Sequence, residues 1–202
     1  PRPSHCERDA LPAELPPHER ARIVAPGRRP ATSGVLRLYD HRMTIAVRPA
    51  TLADLDSIVA GNIAMALEAE HKRLDPATVR RGVRAVFEEP GRGRYFVAEI
   101  GGNVVGQAMY TCEWSDWRNG NFWWLQSVYV APVARRTGVF RAIYGFIERL
   151  AKAEPGVCGL RLYVELDNER AQQTYRRCGM VAAGYLVMEM DLSGAVTSAR
   201  GK

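Results

Sequence analysis

The sequence predicts an α/β protein with one domain, in which helices flank a mixed β-sheet. Strand-like and helix-like segments follow one another in the order β-α-α-β-β-β-α-β-α-β, without internal repeats. The chain has 202 residues, and 47% of them are hydrophobic, which is enough for a single core. These two observations favour one domain with short appendages.

The two ends of the chain differ from its middle. Residues 1–42 contain Pro-Pro, Pro-Gly and Arg-Arg-Pro sequences and no sustained apolar periodicity, so we expect a disordered N-terminal extension. Met43 directly precedes the first strand pattern, which favours a natural start of translation there over a basic arm that binds a partner. The folded domain is expected over 43–194 and a flexible tail over 195–202.

The first half of the domain begins with a strand at 44–48 and continues with two helices. Thr51 and Asp54 have the spacing of a short capping box, which starts a helix that ends near Leu67. Asp75 and Pro76 are a typical cap and first-turn proline for the second helix, which Pro90 and Gly91 end.

The second half has more strands than helices. Two glycines and an asparagine at 101–103 predict a hairpin turn, because glycine accepts positive φ. The predicted strands cover residues 95–100, 104–112, 122–130, 160–164 and 185–192. The predicted helices cover residues 139–153, with one apolar face, and 169–178, which Gly179 ends.

Composition excludes several classes of function. The formal net charge is +6, but the basic residues are dispersed, so no nucleic-acid partner is expected. His71 is the only histidine after residue 42, which argues against a histidine-rich metal site. The four cysteines have no C-x-x-C spacing and no apolar run is long enough for a membrane helix. We therefore expect a reduced, cytoplasmic protein without a metal or a membrane partner.

Residues 125–144 carry the strongest functional pattern. An apolar strand passes through a short turn into an amphipathic helix, and Gly138 lies where that helix begins. The N-terminus of a helix carries free N–H groups and a partial positive charge, so it can hold a phosphate. Arg135, Arg136 and Arg141 add positive charge nearby. The segment predicts a site for a ligand rich in phosphate.

Two motifs in this chain resemble the GNAT N-acetyltransferase superfamily. The segment 135–140 is similar to its Arg/Gln-x-x-Gly-x-Gly/Ala signature, which binds the pyrophosphate of acetyl-coenzyme A. The second hallmark is matched by Asn168, Ala171, Tyr175 and Gly179. The resemblance extends from about residue 44 to residue 191 and implies the GNAT fold, with a largely antiparallel sheet flanked by helices.

The resemblance also implies a cofactor site. Main-chain groups of Val128 and Val130 would hydrogen-bond the pantetheine arm, and amides from 136 to 140 would receive the pyrophosphate. The expected cofactor-binding residues are Val128, Val130, Arg135, Arg136, Thr137, Gly138, Val139, Phe140 and Asn168. Two of them depart from the family pattern: the family often has glycine at the position of Arg136, and it usually has a small residue at the position of Phe140. The Phe140 side chain must therefore point away from the phosphates.

The resemblance gives Tyr175 the role of the acid that protonates the coenzyme A sulfur. A phenol with a pKa of about 10 holds its proton at neutral pH and can donate it while the C–S bond breaks. Asn168 is expected to cap the helix that carries Tyr175. The strand at 122–130 has no acidic residue, and no cysteine or serine is suitably paired as a nucleophile. We expect direct transfer, with the amine losing its proton through water. Acidic residues of adjoining segments are the alternative bases, although each is more typical of solvated surface: Glu68, Glu70, Glu113, Asp116 and Glu165.

The implied activity is transfer of the acetyl group of acetyl-coenzyme A to a primary amine on a small molecule. A protein N-terminal or lysine acetyltransferase and a non-catalytic acyl-coenzyme A-binding regulatory domain are the alternatives, and a homodimer is a further option. Four tryptophans within eleven residues favour an aromatic acceptor pocket for an apolar or cationic amine. They are Trp114, Trp117, Trp123 and Trp124, and one of the last two is expected in the core because adjacent strand residues face opposite sides.

Overall fold

A computed structural model of the chain describes residues 44–190 and 192. The predicted extension at 1–42 and the predicted tail at 195–202 lie outside the described residues and stay predictions. The chain divides into two compact units, one that ends at Tyr163 and one that begins at Val164.

The first unit is built on one five-stranded sheet. Its strands are β1 Ile45–Pro49, β2 Arg94–Ile100, β3 Asn103–Ser115, β4 Gly120–Val130 and β5 Val157–Leu162. They lie in the order β1-β2-β3-β4-β5, and every neighbouring pair is antiparallel except β4 and β5, which are parallel. The predicted mixed, largely antiparallel sheet is confirmed.

Three helices belong to this unit: α1 Leu55–Glu70, α2 Pro76–Glu88 and α3 Val139–Ala153. The Asp54 carboxylate accepts a hydrogen bond from the Thr51 amide at 2.8 Å, and Asp75 accepts one from the Thr78 amide at 2.9 Å. Each bond satisfies an amide that the helix itself cannot, and the two predicted caps are confirmed. A 3-10 turn, Leu52–Asp54, precedes α1.

The helices cover both faces of the sheet. Helices α1 and α2 form one core with β2, and its buried members are Leu55, Ile58, Val59, Val83, Tyr95 and Val97. Helix α3 packs against the other face, where the Phe146 ring lies 5.7 Å from the Phe96 ring. Ile143 and Ile147 of α3 are fully buried, and each contributes about 1.5–3 kcal/mol relative to an exposed position. The predicted apolar face of α3 is confirmed.

A buried polar network fixes α1 on β3. The Gln107 amide nitrogen donates to Asn62 Oδ1 at 2.7 Å, and the Asn62 amide nitrogen donates to the Tyr95 hydroxyl at 3.1 Å. Gly61 makes room for this network, since a Cβ there would lie 2.4 Å from Gln107 Oε1. A buried amide that lost its partner would cost about 1–3 kcal/mol, so the network specifies how α1 docks.

Strand β4 contains a bulge before its end. Gln126 is paired with Met109 and Tyr129 with Gln107, so two residues of β4 oppose one residue of β3. Ser127 has a φ of 50°, as expected for the extra residue of a bulge. Pairing with β5 ends earlier, at Leu125. Within the described residues, the end of β4 therefore pairs with a strand on its β3 side only.

Two predictions about the second half are wrong in detail. Residues 181–190 form no strand and are exposed, because an apolar run becomes a strand only with a hydrogen-bonded neighbour, and no described strand pairs with them. Strand β5 begins at Val157, three residues before the prediction, where Gly159 lies under the Phe122 ring.

Candidate cofactor and acceptor site

The turn between β4 and α3 has a defined main-chain geometry. A 3-10 turn, Pro132–Ala134, follows the strand, and the Thr137 hydroxyl donates to the Ala134 carbonyl at 2.7 Å. Arg136 and Gly138 have φ values of 68° and 98°, in the region that favours glycine. The turn thereby reverses the chain directly in front of α3.

The first turn of α3 has no side-chain cap. Gly138 is its N-cap residue and has no side chain to accept a bond from the amides that follow. Val139 is buried, and the Phe140 ring lies 5.9 Å from the Tyr144 ring. The large Phe140 side chain therefore packs along the helix and not over the amides. This is the orientation expected from the sequence, with Phe140 pointing away from the phosphates.

At the end of β4, the main-chain groups of Val128 and Val130 point away from β3. The Ala131 amide donates to the Val105 carbonyl of β3, so the groups of Val130, one residue earlier, face the opposite side. Strand alternation gives Val128 the same direction as Val130. Since β5 pairing has ended at Leu125, these groups have no partner strand within the described chain. This is the arrangement that an additional, strand-like ligand needs.

The Arg135 side chain turns back onto β4 and α1. Its Nε donates to the Val130 carbonyl at 2.9 Å, and its Nη2 is bonded to the Glu68 carboxylate. The Tyr129 hydroxyl donates to the same carboxylate at 3.1 Å. The Arg135 hydrogen bond is the largest cause that lowers the pKa of Glu68, while burial and then Glu68 raise the pKa of Tyr129. Glu68 thus neutralises the positive charge of Arg135, which was expected from the sequence to bind a phosphate.

On the α1 side of the sheet, β3, β4 and β5 each contribute one polar side chain to a cluster. Trp124 Nε1 donates to Glu113, and Arg161 Nη1 donates to Glu113 Oε1 at 2.7 Å. The guanidinium carbon of Arg161 lies 3.7 Å from the centre of the Phe122 ring. Sequence reasoning missed Arg161, because only the register of β4 and β5 brings it to Glu113.

The four tryptophans do not form one pocket. Trp123 is 4% exposed and stacks on Tyr110 at 3.9 Å, on the side of the sheet that α3 covers. Trp124 faces the opposite side, and Trp114 and Trp117 are 59% and 90% exposed. The expectation that one of Trp123 and Trp124 lies in the core is confirmed for Trp123, and an aromatic acceptor pocket that includes the other tryptophans stays a prediction.

The described part of the second unit contains one helix, α4 Glu169–Arg177. Asn168 Oδ1 accepts a hydrogen bond from the Ala171 amide at 3.0 Å, so the predicted cap is confirmed. The helix ends where Gly179 adopts a φ of 85°. Tyr175 lies in its last turn, and burial raises the pKa of its phenol, which is therefore protonated at neutral pH.

Neither a membrane-spanning helix nor a metal-binding cluster occurs in the part of the chain that the structure describes. Within 44–190 and 192, no helix has the length and hydropathy to cross a membrane. The same residues bring together no group of three histidine, cysteine or acidic side chains that could hold a metal ion.

Comparison with known proteins gives the family. The sequence profile of the acetyltransferase (GNAT) family matches residues 64–180, more than half of the chain. A solved structure of a possible acetyltransferase from Clostridium difficile 630 is 40% identical, covers 73% of this chain and 97% of its own, and has a TM-score of 0.69. No curated protein matches. The chain belongs to the GNAT acetyltransferase family and is an acyltransferase.

More distant structures share the fold. A GCN5-related N-acetyltransferase from Ralstonia eutropha JMP134 is 21% identical, with a TM-score of 0.60 over 72% of this chain and 98% of its own. A ribosomal-protein-alanine N-acetyltransferase from Brucella melitensis biovar Abortus 2308 is 14% identical, with a TM-score of 0.59 over 73% and 98%. At these identities the likeness concerns the fold alone. The family uses acetyl-coenzyme A as its acetyl donor.

Proposed function

We propose that the protein moves the acetyl group of acetyl-coenzyme A directly to a primary amine of a small molecule. The observation that carries this proposal is the end of β4. Its main chain is free of β5 beyond Leu125, and the strand leads through the Gly138 turn to the uncapped start of α3. A strand edge next to a helix N-terminus suits a ligand with an amide-containing arm and a pyrophosphate.

The main chain supplies most of the proposed cofactor contacts. Amides from Arg136 to Phe140 would receive the pyrophosphate, and the positive end of α3 would stabilise its charge. Val128 and Val130 would pair with the pantetheine arm as an added strand. The Val130 carbonyl already accepts from Arg135, so this pairing needs the Val130 amide or a shared carbonyl. Asn168 would act through the order of the loop that it caps.

The proposed chemistry needs one proton donor. The amine nitrogen attacks the thioester carbon, a C–N bond forms, and the C–S bond breaks. The Tyr175 phenol gives its proton to the leaving thiolate, while the amine gives its own to water. A protonated phenol is available because burial raises the pKa of Tyr175. No covalent enzyme intermediate is involved.

Glycine at position 138 offers a sharp test of the cofactor site. Gly138→Ala forces a side chain into positive φ, although a Cβ there would have space, since its nearest neighbour is 4.0 Å away. The strain costs about 1–2 kcal/mol and would shift the turn. We expect affinity for acetyl-coenzyme A to fall about ten-fold in calorimetry. Gly156→Ala is the matched control, because Gly156 has a φ of 86° and open space but lies at the start of β5.

Both variants should lose similar stability, and only Gly138→Ala should lose affinity. Equal affinity of the two variants, or equal binding of acetyl-coenzyme A and an analogue without pyrophosphate, contradicts the proposed site. Thiol release with small amines and with peptides then separates the proposed acceptor from a protein acceptor. Binding of acetyl-coenzyme A without acetyl transfer to any amine favours a regulatory domain.

A further inference from the structure

Arg161 is a fixed guanidinium with spare hydrogen-bond donors. It packs on Phe122 at 3.7 Å and lies 5.7 Å from the Trp124 ring centre, and these rings restrict its orientation. A guanidinium has five N–H donors, and the described chain uses one of them, toward Glu113. The side chain is 30% exposed, so it is open to a ligand.

The charge around Phe122 favours an anion. The Arg118 guanidinium lies 5.2 Å from the centre of the same ring and has no acidic partner within the described residues. Glu113 balances one of the two guanidinium groups, and each of its oxygens already accepts a hydrogen bond. A ligand carboxylate would therefore find one uncompensated positive charge and a planar fork of donors.

The cluster lies on the same strand as the proposed reaction site. The Trp124 and Tyr163 ring centres lie 4.4 Å apart with an angle of 33° between the ring planes, and the two rings provide an aromatic surface for the body of a ligand. Ser127 follows Trp124 by three residues, which is ~10 Å along an extended strand. A molecule that bridges this distance has its charged group several bonds away from the group that reacts.

We infer that the acceptor is an amine with a remote carboxylate, and that Arg161 binds this carboxylate and determines specificity. The inference rests on the proposed function, because it takes the end of β4 as the place of acetyl transfer. The ligand's amine lies toward Ser127, its carbon chain on Trp124 and Tyr163, and its carboxylate in the fork of Arg161.

The test compares two acceptors that differ only at the carboxylate: ω-aminohexanoate and its neutral carboxamide. Thiol release gives kcat/KM for each, with the wild type, Arg161→Gln, Arg161→Lys and a control. The control is Arg149→Gln, since Arg149 also lies over an aromatic ring, at 5.8 Å from Phe146, but on α3. Binding of acetyl-coenzyme A by calorimetry is measured on every preparation.

We expect the wild type to prefer the carboxylate acceptor by about ten-fold to a hundred-fold, as for a charge-assisted pair. The preference should disappear in Arg161→Gln, decrease in Arg161→Lys, which keeps the charge but not the fork, and persist in Arg149→Gln. If Arg161→Gln does not fold, the test rests on whether Arg161→Lys has a smaller preference for the carboxylate acceptor than the wild type.

Equal use of both acceptors, or a preference that survives in both Arg161 variants, overturns the inference. Acetylation of α-amino acids but not of ω-aminohexanoate overturns it as well, and so does failure to acetylate either acceptor. In that last case, acetyl-coenzyme A binding and turnover of other amines show whether the proposed function also fails.

Discussion

The turn at Gly138 and the cluster around Arg161 would recognise their proposed ligands by different means. The turn offers main-chain amides and the end of a helix, and its largest neighbouring side chain, Phe140, packs away along α3. The cluster offers side chains only: a guanidinium, a carboxylate and two rings, from three strands. Ligand binding at the turn should therefore tolerate changes of side chain, whereas ligand binding at the Arg161 cluster should be sensitive to them.

Tyr175 is the residue where loss of one side-chain atom should have the largest effect. Tyr175→Phe keeps the ring and removes the proton, so kcat should fall roughly ten-fold to a thousand-fold, at or below the usual range for a positioned acid. A thiolate already leaves tolerably near neutral pH, which limits the loss. Affinity for acetyl-coenzyme A should hardly change, and stopped-flow kinetics with calorimetry measures both quantities.

The pH dependence of the rate is a second test of Tyr175 as the proton donor. Burial raises the pKa of its phenol above the ordinary value of 10.0, so the donor stays protonated as pH rises toward that value. The wild-type rate should therefore show no decline from loss of this proton between about pH 7 and 9.5. A chemical step that is unaffected in Tyr175→Phe removes the acid role and leaves the ring in a packing role.

Substitution of Glu68 should have a moderate effect and, unlike the other substitutions, should strengthen acetyl-coenzyme A binding. Glu68 balances Arg135 beside the turn, so Glu68→Gln exposes a positive charge and should tighten acetyl-coenzyme A binding about two-fold to five-fold at low salt. High salt should remove the gain. Glu148→Gln is the matched control, because Glu148 pairs with Lys152 on the surface of α3. Weaker binding in Glu68→Gln would mean that the pair positions the turn.

Val130 should show the smallest effect. Its proposed contact is made by the main chain, so Val130→Ala should change affinity for acetyl-coenzyme A by less than about two-fold in calorimetry. The half-buried side chain should cost some stability, which thermal unfolding reports separately. A ten-fold loss of affinity at unchanged stability would show that the side chain itself contacts the cofactor.

The comparison also explains what the sequence could predict. Gly138, the two caps of the first helices and the apolar face of α3 follow local rules, and all of them are found in the structure. The cluster depends on which residues of three strands stand side by side, and spacing along one chain does not contain that register. Gly159 shows the same limit, because glycine weakens a strand pattern although it is required beneath Phe122.

The extra residue at Ser127 changes the odd-even order of β4. Before the bulge, the even-numbered residues Trp124 and Gln126 face α1. After it, the odd-numbered Tyr129 faces α1, because two residues of β4 oppose one residue of β3 at the bulge. One strand can thus direct an aromatic surface and the Glu68 contact to the same side. Removal of that single residue would exchange the two faces for everything between it and the turn.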